Sequence, residues 1–177
     1  MSEKINIREM QESDPPVISA GFTAQGWNKT LSQFQRYWQE SLQGRRLVLV
    51  AESPQITGTG EFAGYLTVVW ESAYLPFRQA GIPEIVDFNV LLKFRRLKIG
   101  TALMDEAERC IALRSPVAGI GVCLHADYGA AQVLYARRGY VPDGRGVYYH
   151  DHYPQYGEQV RIDDDLVLYP TRQVGSC

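Results

Sequence analysis

The chain has 177 residues, of which 45% are hydrophobic and 21% charged, with a formal net charge of −2. That is enough for one compact domain with its own core, and it carries no overall basic field to draw in nucleic acid. No stretch reaches the roughly 18 to 20 apolar residues of a membrane span, and Met1-Ser2-Glu3-Lys4 has no apolar signal core, so a cytoplasmic location is expected. Cys110, Cys123 and Cys177 are odd in number and widely spaced, which reads as reduced thiols rather than a disulfide framework.

In chain order, Lys4 to Arg8 alternates polar and apolar residues and predicts a strand. Asp14-Pro15-Pro16 marks a turn into a first helix over Val17 to Phe22. Asn28 or Thr30 can cap a second helix, whose apolar stripe is Leu31, Phe34, Tyr37, Trp38 and Leu42 and which Gly44 ends. Leu47 to Glu52 and Phe62 to Trp70 read as a hairpin with a turn at Gly58 to Gly60. A connection rich in Tyr, Pro and Gly runs from Ser72 to Pro83, and Glu84 to Leu91 is the next strand. Ile99 to Arg114 is a helix with Ile99, Leu103, Ala107, Cys110 and Ile111 on one side. Val117 to Leu124 is a strand, Tyr128 to Arg138 a helix stopped by Gly139, and Tyr140 to Tyr149 and Leu166 to Tyr169 are closing strands. The pattern predicts a single α/β (α+β) domain over residues 4–172 with a short tail at 173–177. Its sheet is mixed and mostly antiparallel, with a parallel β–α–β core and helices on both faces.

One run carries most of the chemistry. Val90 to Leu92 ends a strand, Lys93-Phe94-Arg95-Arg96-Leu97-Lys98 is a basic turn, and Ile99-Gly100-Thr101 opens a helix. Unpaired N–H groups at a helix start, the helix dipole and three cationic side chains together suit a phosphate or pyrophosphate, with no metal required. The turn lacks the G-x-G-x-x-G of a dinucleotide fold and the phosphate-loop lysine motif.

Val90, Phe94, Arg95, Gly100 and Leu103 stand in register with V-x-P-x-Y/F-R/Q-x-x-G-x-G/A-x-x-L. Further on, Ala131, Leu134, Tyr135, Gly139 and Tyr140 match N-x-x-A-x-x-L-Y-x-x-x-G-F/Y. In these two runs, one helix and one strand apart, the chain resembles the GCN5-related N-acetyltransferase (GNAT) superfamily. The resemblance implies an acyl-CoA N-acyltransferase-like fold, acetyl-CoA as co-substrate and an amine acceptor. It places the coenzyme against Val90, Leu92, Arg95, Arg96, Leu97, Lys98, Ile99, Gly100, Thr101, Tyr128, Gln132 and Tyr135. It also implies that Tyr135 is the general acid toward the departing thiolate. Two positions depart from the pattern: Lys98 stands at the first glycine of the turn, and Tyr128 stands where many relatives have an asparagine that bonds the pantetheine arm. The expectation for Lys98 is a tolerant turn in which the lysine adds a phosphate contact.

The base is open between Glu84 and Asp87. Alternation puts Ile85, Asp87 and Asn89 on one face of a central strand, where a carboxylate is costly unless it is paired or functional. Glu84, at the strand entrance, could act through water, and His125 is a substitute. His150-Asp151-His152 with Asp163 to Asp165 lacks any specific metal spacing, so no metal is expected. Aromatic residues, among them Trp27, Tyr37, Tyr74, Tyr148 and Tyr153, suit an amine acceptor, a core or a homodimer interface equally. The leading reading is an acetyl-CoA-dependent N-acetyltransferase acting by direct attack on a primary amine of a small molecule or peptide. The alternative is a catalytically degenerate acyl-CoA-binding or sensing module.

Overall fold

The computed structural model describes residues 5–54 and 60–175. The predicted turn at Gly58 to Gly60 and Cys177 therefore lie wholly or largely outside the described residues. Seven strands form the main sheet in the order β1 (Asn6–Glu9), β2 (Arg46–Pro54), β3 (Gly60–Val69), β4 (Glu84–Val90), β5 (Val117–Ile120), β9 (Pro170–Gln173), β7 (Val141–Pro142). A second, two-stranded sheet pairs β6 (Val122–Cys123) with β8 (Val167–Leu168). All main-sheet pairs are antiparallel except β4 with β5. This is the mixed, mostly antiparallel sheet with a parallel core that the element order predicts.

The alternation of β2 and β3 sorts the two faces. Leu47, Leu49, Ala51, Leu66 and Val68 pack with α4 (Ile99–Ala112) through Ile99, Leu103, Met104, Ala107 and Ile111. Val48, Val50 and Tyr65 pack against Ile18 and Phe22 of α1 (Asp14–Ala24) and against Phe34 and Tyr37 of α2 (Leu31–Leu42). Each helix thus buries residues spaced three or four apart, and the two cores lie on opposite sides of one sheet. Pro15 and Pro16 open α1, where a missing N–H costs nothing. Thr30 caps α2 by accepting from Gln33 N at 3.3 Å. On the far side, Glu108 of α4 accepts from Arg138, Arg172 and Tyr140, which fastens α4 to the end of α5 (Gly129–Arg137) and to β9.

Four expectations change. The Ser72 to Pro83 connection holds a short helix, α3 (Leu75–Ala80), with Pro76 in its first turn and Gly81 left-handed at its end. The single strand expected over Val117 to Leu124 is two strands in two sheets, divided at Gly121. A Cβ there would stand 3.2 Å from Tyr169 and Val167 side-chain carbons and 3.4 Å from Glu84 Oε1, so a larger residue would crowd these side chains at the crossing. Tyr140 to Tyr149 is extended only at β7, with an isolated bridge from Tyr148 to Val167, because Gly144 and Gly146 both turn the chain with positive φ. The described part of the expected tail is fastened down: β9 reaches Gln173, and Val174 N and Gly175 N donate to Pro116 O. No helix among the described residues is long and apolar enough to cross a membrane.

Candidate active site

β4 and β5 run together only briefly. Glu84 pairs with Gly119 and Ile85 with Ile120; beyond that point β4 stays with β3, while Val122 and Cys123 pair with β8. The two strands part, and the side of β4 facing the gap keeps no strand partner among the described residues. Opposite the gap, β4 is bulged. Tyr65 pairs with Asn89 and Thr67 with Val86, so Leu66 alone faces two residues, Asp87 and Phe88. Asp87 takes a left-handed backbone with φ 50°. The extra residue breaks the alternation expected for this strand: Ile85, Phe88 and Val90 pack on the α4 side, while Asp87 and Asn89 turn toward α1 and α2. Ile85 is therefore not on the face of Asp87, contrary to the sequence expectation.

Asp87 is the most heavily bonded carboxylate on this strand. Its Oδ1 accepts from Lys29 Nζ at 2.6 Å and Asn89 Nδ2 at 2.9 Å. Its Oδ2 accepts from Tyr65 OH at 2.6 Å, Gln33 Nε2 at 2.8 Å and Tyr37 OH at 3.0 Å. Burial and the neighbouring Asp87 charge push both phenols well above the usual tyrosine range, so they remain O–H donors. Lys29 Nζ also lies 5.6 Å from the centroid of the Tyr65 ring. Of these five partners the sequence analysis had named Tyr37, as an aromatic residue suited to an acceptor or a core, and Asn89, as sharing the face of Asp87; it gave no site role to Lys29, Gln33 or Tyr65. Their only signal there was the cost of a carboxylate in a central strand, which demands partners without naming them.

Glu84 is differently placed. It is buried at the foot of β4, beside Gly121 and Tyr169, and its carboxylate accepts one hydrogen bond, from Ser72 Oγ at 2.5 Å. Burial pushes its carboxyl above the ordinary range, with the serine bond opposing the shift. Such a group holds a proton more readily than a solvated glutamate.

The basic turn follows the bulge. Leu92–Phe94 form one 3₁₀ turn, and Arg95, Arg96, Leu97 and Lys98 are exposed before α4 begins. Arg96 and Lys98 are both left-handed, with φ 64° and 62°. The expectation of a tolerant turn at Lys98 is thus corrected: the backbone adopts the conformation the absent glycine would favour, and the lysine takes it with strain. As the first residues of a helix, Ile99, Gly100 and Thr101 leave their N–H groups without intrahelical acceptors. Gly100 packs closely on β4, since a Cβ there would stand 3.1 Å from the Phe88 ring and 3.9 Å from Val90 Cγ2. The α1–α2 loop touches this turn twice, through Gln25 Oε1 accepting from Leu92 N at 2.9 Å and through Trp27 under the Arg95 guanidinium at 5.6 Å.

On the β6 side, Tyr135 is buried in the α4-side core with Val122 and Tyr140. Its phenol has no hydrogen-bond partner among the described residues, and burial raises it above the usual range. Gln132 Nε2 donates to Cys123 O at 2.9 Å, which sets α5 against β6. Tyr128 OH donates to Asp164 Oδ1 at 2.8 Å and leans on Cys123, so its hydroxyl is held by the 163–165 turn. His125 is exposed and accepts from Asp127 N. The histidine pair does not act together: His152 bonds Glu158 at 2.8 Å, while His150 approaches Asp163 and Asp165, with ligand atoms within 4.8 Å of one another at the surface.

No protein-family model matches the chain, and no curated protein matches it in sequence. Solved structures do match its fold. A structure from Desulfovibrio desulfuricans, described as an acetyltransferase of the GNAT family, aligns with a TM-score of 0.70 at 12% identity, over 97% of this chain and 99% of that one. The ribosomal-protein-alanine N-acetyltransferase of Brucella melitensis aligns with a TM-score of 0.66 at 19% identity, over 95% and 99%. The yncA protein of Salmonella typhimurium, whose structure contains acetyl-CoA as its cofactor, aligns with a TM-score of 0.62 at 18% identity, over 96% and 94%. The chain has the fold of these GNAT-type acetyltransferases along nearly its whole length.

Proposed function

We propose that this chain transfers an acetyl group from acetyl-CoA to a primary amine of a small molecule or peptide by direct attack. The observation that carries the reading is the gap between β4 and β5, which opens beside a helix start whose N–H groups are free and whose approach is lined by exposed cations. The fold-mates support it: one carries acetyl-CoA and another is an N-acetyltransferase by name.

The residues present fit such a donor. Ile99, Gly100 and Thr101 would receive the pyrophosphate, with Arg95, Arg96 and Lys98 adding charge. The β4 backbone toward Val90 lacks a strand partner on the gap side and would bond the pantetheine amides. Acetyl transfer needs a neutral amine, a stabilised carbonyl oxygen and a proton for the departing thiolate, whose thiol has a pKa of about 8.5 when free. Tyr135 would donate that proton: its phenol is protonated through neutral pH and bonds no other side chain among the described residues, although burial makes it a weaker acid than a solvated tyrosine. Glu84 is the better base of the two strand carboxylates. Its raised proton affinity and single donor leave room to accept a proton from the amine, directly or through a water. Asp87 has no such room, since both of its oxygens already accept.

A free-thiol release assay over a panel of amines tests the reading. The expected result is turnover with at least one primary amine, and a Tyr135→Phe variant with kcat reduced by about 100-fold at nearly unchanged coenzyme A affinity. Coenzyme binding without thiol release from any amine would favour the sensing module instead. Equal turnover of the Tyr135→Phe variant across pH would remove Tyr135 as the acid.

A further inference from the structure

We propose that Asp87 is a positioning residue whose carboxylate, with Lys29 as its counter-ion, locks β4 in the bulged form and so keeps the β4–β5 gap open. The inference rests on the acetyltransferase reading only for what the gap holds.

The bulge needs an explanation. A left-handed backbone at a non-glycine residue inside a central strand is unfavourable, although aspartate tolerates it better than most residues. Nothing in the β3–β4 pairing requires the extra residue, because the register on either side, Tyr65 with Asn89 and Thr67 with Val86, is ordinary. The extra residue separates Ile85, which packs on the α4 side with Phe88 and Val90, from Asp87, which turns to the opposite face. The donors around Asp87 come from the α1–α2 loop (Lys29), α2 (Gln33, Tyr37), β3 (Tyr65) and β4 itself (Asn89), and they converge on one point. In a regular strand, the alternation that keeps Ile85, Phe88 and Val90 with α4 could not also deliver Asp87 to that point.

A carboxylate has about four lone-pair sites, and here five donors use them. Without its negative charge these donors, one of them an ammonium, would face each other partly buried with only the Tyr37 and Tyr65 hydroxyls left to accept. Asp87 is therefore fastened by structure, and the structure is fastened by Asp87. Lys29 is the one cation in the set, and its loop is anchored by Ser19 Oγ donating to Lys29 O at 2.8 Å. Four residues earlier, the same loop bonds Leu92 N at the entrance of the basic turn. One loop thus holds both the bulge and the turn, so the β4 wall of the gap and the helix start that follows it are set together.

The test uses the full chain with four variants, Asp87→Ala, Asp87→Asn, Lys29→Met and Lys29→Arg. It measures amide hydrogen exchange in the 84–91 segment and affinity for coenzyme A by calorimetry. Asp87→Ala and Lys29→Met should speed exchange in that segment, and weaken coenzyme A binding, by about tenfold or more, the effect of one lost charge-assisted hydrogen bond. Lys29→Arg should stay close to wild type, and α4 should exchange normally in all four, which excludes general unfolding. Exchange and affinity within about twofold of wild type in both Asp87→Ala and Lys29→Met would overturn the proposal. Faster exchange with unchanged affinity would overturn its link to the gap. If exchange accelerates but the wild-type protein does not bind coenzyme A, the acetyltransferase reading fails and the lock stands. With an accepted amine in hand, Asp87→Asn separates positioning from proton transfer: positioning lowers the plateau of the pH–rate profile and leaves its acid limb in place, whereas loss of that limb would make Asp87 the base.

Discussion

In the β4 bulge, Asp87 sits at φ 50° with five side-chain donors closed around it. In the turn before α4, Arg96 and Lys98 sit at φ 64° and 62°, both exposed, and Lys98 makes no side-chain capping bond. Both places put non-glycine residues in a region that ordinarily favours glycine. At the bulge, the surrounding structure over-determines the strained residue and uses it to bend a strand. At the turn, no side-chain capping bond among the described residues offsets the strain, and on the proposed reading the N–H groups that follow receive the pyrophosphate. The same backbone conformation therefore marks a locked position in one place and a receptive one in the other. Substitutions at the two places should have opposite signs.

The largest effect should come from pushing on the bulge through its neighbour strand. A Cβ on Gly64 would stand 2.7 Å from Asn89 O and 3.1 Å from Val90 Cα, both backbone atoms that no side-chain rotation can clear. Gly64→Ala should cost about 2–3 kcal/mol in chemical denaturation and weaken coenzyme A binding as well. Wild-type stability in that variant would mean that β4 moves freely where the bulge is said to lock it.

Gly100→Glu attacks the turn instead. An acidic residue in the first turn of a helix is favourable to the helix by about 0.3–1 kcal/mol, and this offsets part of the crowding against the Phe88 ring. The thermal midpoint should move little, while coenzyme A affinity falls by about 100-fold as a carboxylate takes the place proposed for the phosphate. A loss of folding equal to the loss of affinity would move the turn into the same locked class as the bulge.

How far the sequence could reach follows the same division. The turn was legible because its parts are neighbours: cations, helix start and Gly100 lie within one short run, and local spacing carries that information. That helices cover both faces of the sheet was legible too, because it follows from the order of the elements; Leu47 to Val50, all buried, pack alternately against the two helical layers. The bulge was not, since Lys29 and Asp87 are 58 residues apart and a bulge erases the alternation by which faces are read. The division at Gly121 was hidden for a related reason. Val117 to Leu124 has one continuous strand-like pattern, while its partners, β9 on one side of Gly121 and β8 on the other, lie about 50 residues further along the chain.

Glu84 lies on the same strand as the bulge but outside its lock, and Glu84→Gln should separate stability from activity. The sign follows from its raised carboxyl. A folded-state pKa above the unfolded value means that protonated Glu84 is favoured in the native state, so stability is fully present below the ordinary carboxylate value and declines as pH rises through the raised one. Glutamine cannot ionise and escapes that decline, while its Oε1 still accepts from Ser72. The variant should therefore match wild type near pH 4 and unfold at a higher temperature at pH 8, yet lose the acid limb of the pH–rate profile. A variant less stable than wild type at pH 8 would show that the ionised carboxylate is stabilised by its surroundings.

The smallest effect, and the most direct contrast with Asp87, is Lys98→Gly. Relief of left-handed strain is worth about 1–2 kcal/mol, against roughly 0.5–1 kcal/mol of added backbone entropy in the unfolded chain. The net gain of about 0.5–1 kcal/mol corresponds to a rise of about 1–4 °C in thermal midpoint for a chain of this size. The lysine charge is lost at the same time, so coenzyme A affinity should fall a few-fold at low salt. That difference should close at high salt, where an exposed cation is screened. Glycine at Asp87 should do the reverse, destabilising at every ionic strength, because the backbone would gain freedom while Lys29, Tyr37 and Tyr65 lost their acceptor. If Lys98→Gly lowers the midpoint instead, the lysine backbone is held by the turn as Asp87 is held by its donors, and the two places are one kind of site.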